Sequence, residues 1–171
     1  MTSPVRFSPG GILLASAAAA GALGLALVAD SAPPLALINE TPSVPKGLYV
    51  RSPDPEPRLG RLVAIAQPAA ARPYLGRLGV PSDMRLLKRV AATGGDTVCA
   101  AEGVLWTPGG QVAVPSRDRR GAPLPAWRGC RTLAAAELLL LGDTATSFDG
   151  RYFGPVRRAE VEATYREVLR W

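Results

Sequence analysis

Between residues 10 and 29 the chain reads GGILLASAAAAGALGLALVA, a stretch without a single charge. About 20 such residues cross the roughly 30 Å hydrocarbon core of a bilayer as a helix. Arg6 and the amino terminus precede the stretch and Asp30 follows it, which puts its N-terminal side in the cytoplasm and the remainder outside. The expected organisation is a short cytoplasmic segment, 1–9, a transmembrane anchor, 10–29, and an exported domain, 30–171. The competing reading is an export signal cleaved after Ala29, with Leu27 and Ala29 at its −3 and −1 positions. It exports the same residues.

Beyond Asp30 the apolar positions come in short runs bounded by turn residues, at 35–38, 61–66, 85–92 and 138–141. Runs of that length with Gly and Pro at their borders read as strands. A strand through Val98 follows the Gly94-Gly95-Asp96 turn, and hairpin-like pieces occur at 103–106 and 111–114. Residues 39–49, with Pro42, Pro45 and Gly47, read as a structured turn, and 68–84 as irregular chain. The tail fits two periods: Val161, Ala163 and Tyr165 alternate like a strand, while Val161, Tyr165, Val168 and Leu169 suit a helix. The fold expected is mostly β, one antiparallel domain with an inserted subdomain at about 99–137.

Composition narrows the chemistry. With 18 Gly and 17 Pro in 171 residues a helical bundle is disfavoured. There is no histidine, which excludes a Ser-His-Asp triad, a Cys-His dyad and any His-containing metal site. Two cysteines are too few for a four-Cys site. The net charge of +6 invites a nucleic-acid reading. The arginines are scattered, however, with only Arg117, Arg119 and Arg120 close together, and no basic stripe with interleaved aromatics appears, so no nucleic-acid partner is expected. Cys99 and Cys130 both fall in the exported part, where two thiols usually form one disulfide. It would close a loop of about 30 residues, worth roughly 3–4 kcal/mol in the chain-entropy account. Two free buried thiols are the alternative.

Of the 20 basic residues only Lys46 and Lys88 are lysines, and only lysine can give up its proton near neutral pH to serve as a base. Lys88 lies in an apolar strand between Leu87 and Val90, where burial disfavours the ammonium form. Ser43 sits in a rigid turn between Pro42 and Pro45. Ser147, Asp149 and Arg151 crowd into five residues of LGDTATSFDGRYFGPV. Each has an ordinary explanation alone: a turn serine, a lysine extending its amine to water, and a simple Asp149–Arg151 pair. Together they fit one chemistry, a serine activated by a neutral lysine, with the Ser43 backbone N–H facing a developing oxyanion.

Three segments in order, NETPSVPKGLY, LLKRVAATGGDTV and LGDTATSFDGRYFGPV, resemble the boxes of the signal peptidase I family, membrane-anchored Ser-Lys endopeptidases. More closely, NETPSVPKGLY, APLPAWRGC at 122–130 and SFDGRYFGPV at 147–156 are similar to its conjugative-transfer branch, the TraF type. The resemblance covers about residues 35–160. It implies a signal-peptidase-like antiparallel β-sheet domain behind one N-terminal transmembrane helix. It implies Ser43 as nucleophile, Lys88 as general base, Thr41 as a hydroxyl assisting the Ser43 N–H in the oxyanion hole, and Ser147 as the hydroxyl orienting the lysine. Asp149 matches the acidic residue treated as catalytic in the conjugative branch, and Arg151 its holding arginine. Lys46 is expected to be solvated. No metal or organic cofactor is implied.

The implied substrate is a propilin or another exported protein of a conjugation (type IV secretion) apparatus, with pilin cyclisation as one route. The setting is the bacterial inner membrane, with the catalytic domain in the periplasm. Other components of that apparatus are the further partners the resemblance implies. Val44 replaces the usual Met, Gly94 the usual Pro, and Gly150 a second serine. These departures count against general presecretory processing more than against Ser-Lys chemistry. A general signal peptidase and a non-catalytic assembly component are the alternatives. A self-cleaving Ser-Lys regulator is disfavoured by the anchor and by the absence of a DNA-binding segment.

Overall fold

Short apolar runs pair into two antiparallel sheets in the computed structural model, which describes residues 32–171. The expected cytoplasmic segment, 1–9, and transmembrane anchor, 10–29, lie outside the described residues. Among the described residues no helix is long and apolar enough to cross a membrane.

The strands in chain order are β1 (Ala36–Asn39), β2 (Gly47–Arg51), β3 (Leu62–Ile65), β4 (Leu86–Thr93), β5 (Thr97–Ala101), β6 (Val104–Thr107), β7 (Gly110–Ala113), β8 (Gly129–Thr132), β9 (Glu137–Leu141), β10 (Val156–Arg157) and β11 (Val161–Arg170). The larger sheet has the order β1-β2-β11-β3-β4-β9-β10, and the smaller has β7-β6-β5-β8. Every recorded pairing is antiparallel. Among the described residues two short α-helices, α1 (Arg72–Arg77) and α2 (Gly150–Phe153), and a 3-10 turn at Arg158–Glu160 accompany the strands.

Strand alternation sorts the larger sheet into two faces. Val63, Ile65, Val90, Leu138 and Leu140 form one core with Tyr74 and Leu75 of α1 and Phe153 of α2. Leu62, Ala64 and Leu87 form another with Val44, Tyr49, Ala163 and Tyr165. All four residues of β3 are buried because both of its faces are covered. Leu139, Leu141 and Ala92 join Val98, Ala100 and Leu105, which fastens the smaller sheet to the larger. Cys99 and Cys130 are register partners on β5 and β8 and are joined as a disulfide.

Two expectations about elements need correction and one open reading is decided. The turn read over 39–49 ends earlier, because Gly47–Tyr49 already belong to β2, where the fully buried Tyr49 ring joins the core. The stretch read as irregular, 68–84, contains α1, started by Pro73 and seated by Tyr74 and Leu75. The two-period tail is a strand: Ala163, Thr164 and Tyr165 are buried between β2 and β3, and the chain slips register twice, between Val161 and Ala163 and between Glu167 and Leu169.

Candidate active site

The turn carrying Ser43 is shaped by one side chain, Asn39. Its Nδ2 donates to the carbonyl oxygens of Thr41, Val44 and Pro45 at 2.8, 2.9 and 3.0 Å. With the amide nitrogen so committed, Oδ1 must be the acceptor. It receives the Thr41 N–H at 3.3 Å and the Thr41 hydroxyl at 2.8 Å. Tyr49 adds its phenol to the Pro45 carbonyl at 2.6 Å. Val44, 1% exposed, plugs the turn into the core. Ser43 between these fixed points is half-buried.

Lys88 stands on β4, with Val63 as its partner on β3. It is 3% exposed. Nζ donates to Ser147 Oγ at 3.2 Å, the hydrogen bond recorded for it among the described residues. Burial lowers its pKa from the ordinary lysine value to about 8, with Arg151 pushing the same way and Asp149 and Asp143 opposing. Its neighbour Arg89 points oppositely and takes Asp143 in a two-pronged pair at 2.9 and 2.8 Å. The Asp143 backbone N–H donates to the Ser43 carbonyl at 2.6 Å. The nucleophile turn is thus bonded directly to the segment that follows β9.

That segment is packed around Gly142. A Cβ there would overlap the Ser147 side chain and lie 2.6 Å from the Ser43 carbonyl oxygen. The approach of Ser43 and Ser147 to one another therefore requires a residue without a side chain. The Gly142 N–H donates to Asp149 Oδ2 at 2.7 Å. Asp149, fully buried, caps α2 by accepting the Arg151 N–H at 3.1 Å and pairs with the Arg151 guanidinium at 2.8 and 3.0 Å. Arg151, 1% exposed, spends its remaining N–H groups on the carbonyls of Thr144, Ala145 and, across on β7, Ala113. A buried ion pair of this kind is tolerable because nearly every donor and acceptor is satisfied.

Five of the six residues expected around the dyad site therefore gather at the end of β9: Ser43, Lys88, Ser147, Asp149 and Arg151. Asp149 acts on Lys88 through its charge, and its hydrogen bonds go to Gly142 and Arg151. Thr41 departs from its expected role. Its hydroxyl hydrogen is held by Asn39 rather than offered toward an oxyanion. Lys46 is half-exposed and lies 3.9 Å from Glu40. Asn39, Gly142 and Asp143 complete the site without having been singled out by sequence. Among the described residues no group of three or more Cys, Asp or Glu side chains is placed to hold a metal.

The sequence matches the model of the family "Signal peptidase, peptidase S26" over residues 12–171. A plasmid transfer protein TraF from Escherichia coli is 38% identical over 149 residues, 80% of this chain and 84% of that protein. A second, also from Escherichia coli, is 34% identical over 165 residues, 89% of this chain and 92% of the other. A crystal structure of a signal peptidase I from Enterococcus faecalis aligns with 64% of this chain and 96% of its own, at 20% identity and a TM-score of 0.39.

Proposed function

Because the chain belongs to the signal peptidase (peptidase S26) family, we propose that it is a serine endopeptidase with a Ser43–Lys88 dyad. We further propose that it matures a propilin or another exported protein of a plasmid-transfer apparatus, since plasmid transfer is what the names of its Escherichia coli relatives state. The observation that carries the chemistry is the buried amine of Lys88, tethered to Ser147, whose side chain packs at Gly142 beside the Ser43 carbonyl. An ammonium at that position is disfavoured by loss of hydration, so the neutral amine needed for proton abstraction is accessible near neutral pH.

In this mechanism Ser43 Oγ attacks the peptide carbonyl carbon while Lys88 Nζ takes its proton. The Ser43 N–H stabilises the oxyanion of the tetrahedral intermediate. The C–N bond breaks, and the Lys88 ammonium returns the proton to the departing amine. Water, or the substrate's own amino terminus, then attacks the acyl-enzyme with Lys88 again as base. The second nucleophile gives a cyclic product. Ser147 orients the lysine, and Asp149 and Arg151 are positioning residues for the segment that carries it. An anchor at 10–29 would hold the site against the periplasmic face of the inner membrane, where exported substrates emerge.

The test is co-expression with candidate pilin precursors, reading the intact pilin mass for wild type, Ser43→Ala and Lys88→Ala. A trimmed pilin in wild type alone is expected, and a product one water lighter than the linear form marks cyclisation. The same mass pattern from all three proteins, for every precursor, would refute the proposal. General presecretory proteins in the same assay separate pilin maturation from broad signal-peptide removal.

A further inference from the structure

Pro42 and Ser147 also line the inner end of a groove of about 680 Å³ that runs outward between α1 and the loop before β8. That is the size of a pocket holding a sizeable ligand. Its floor is aromatic. The Phe148 ring lies 4.4 Å from Tyr74 and stacks on Tyr152 at 5.2 Å, with planes 6° apart. Its rim carries Arg117, Arg119 and Arg120, all exposed.

The rim's own carboxylate is already used. Asp118 accepts the N–H groups of Arg120 and Ala122, each at 2.9 Å, and the Tyr74 hydroxyl at 3.1 Å. Arg117 gives one N–H to the Gly121 carbonyl at 2.7 Å. Among the described residues none of the three arginines lies within ion-pair distance of a carboxylate, whereas Arg61, Arg89 and Arg131 each hold one. The groove thus joins an apolar floor, a cationic rim and the hydroxyl that tethers Lys88.

We propose that this groove binds an extended, acidic stretch of the peptide substrate. Its side chains lie on Phe148 and Tyr152, and its carboxylates meet the rim arginines some residues from the bond cut at Ser43. The inference rests on the endopeptidase reading and adds a substrate class to it. A peptide fits better than an anionic bilayer surface because the site is concave, aromatic-floored and continuous with Ser147. Guanidinium forks suit carboxylates, and exposed pairs are individually weak. Three together amount to about a tenfold preference.

The experiment exposes the full chain in detergent to a proteome-derived peptide library and reads the new ends by mass spectrometry. Wild type, the double variant Arg119→Glu/Arg120→Glu, and Ser43→Ala are compared. Wild type is expected to favour Asp or Glu at a fixed distance from the cut. The double variant should lose that preference by about tenfold and gain one for Lys or Arg. Identical profiles for wild type and the double variant would overturn the groove assignment and leave the peptidase standing. If wild type yields no more ends than Ser43→Ala, the peptidase reading fails and takes this one with it.

Discussion

Lys88 is placed where a lysine is least comfortable charged, and that discomfort sets a pH dependence. Burial brings its pKa to about 8, with Asp149 and Asp143 resisting and Arg151 assisting. In the proposed dyad the base is the neutral amine, which sets the sign: cleavage rises with pH and levels off above about 8. A single-turnover profile checks this, and a rate flat between pH 6 and pH 9 would remove Lys88 as the base. The apolar flank that perturbs this lysine was readable in Leu86, Leu87 and Val90. The role of Asn39 was not. Its three acceptors are backbone carbonyls, and nothing in residue types two to six positions away announces that they will converge. For the same reason Thr41 looked free for an oxyanion, although its hydroxyl belongs to Asn39.

The segment from Gly142 to Phe153 is the element on which the site depends most. Gly142→Ala would press a methyl group into the Ser147 side chain and the Ser43 carbonyl. Displacements of about 1 Å at a catalytic group cost on the order of 100-fold. We expect a fall of that size in kcat with the fold retained by circular dichroism, and wild-type kcat would contradict the packing described. Arg151→Met tests a different property of the same segment. It leaves the fully buried Asp149 without its cation, a loss that typically costs about 3–5 kcal/mol. Denaturant unfolding should show that drop, and an unchanged midpoint would mean that Asp149 is not held as a buried charge. The crowding of Ser147, Asp149 and Arg151 was legible as a pattern. Which of them touches the lysine depended on the short helix capped by Asp149, a feature too brief to show periodicity.

At the scale of the molecule, strand positions were largely legible and strand neighbours were not. Runs such as 61–66 and 138–141 announce themselves by apolar content. The placing of the tail between β2 and β3 brings together residues about 100 positions apart and leaves no local trace. The disulfide belongs to this scale too, linking Cys99 and Cys130 over a separation of 31 residues. Replacing both cysteines by alanine should lower unfolding free energy by about 3–4 kcal/mol, measured by denaturant titration with the dyad intact, and no change would mean that the bond is not formed in solution. The strand order also imposes a sequence of events in time. Ser43 precedes β2, Lys88 rides on β4, and within the larger sheet β2 meets β3 only through β11, which follows both in the chain. Until Val161–Arg170 arrive, the serine-bearing hairpin and the lysine-bearing strands share no sheet, and the bond from the Asp143 N–H to the Ser43 carbonyl is what joins them. In a chain emerging N-terminus first, the strand that closes the sheet between the two halves of the proposed dyad is therefore made after both of them.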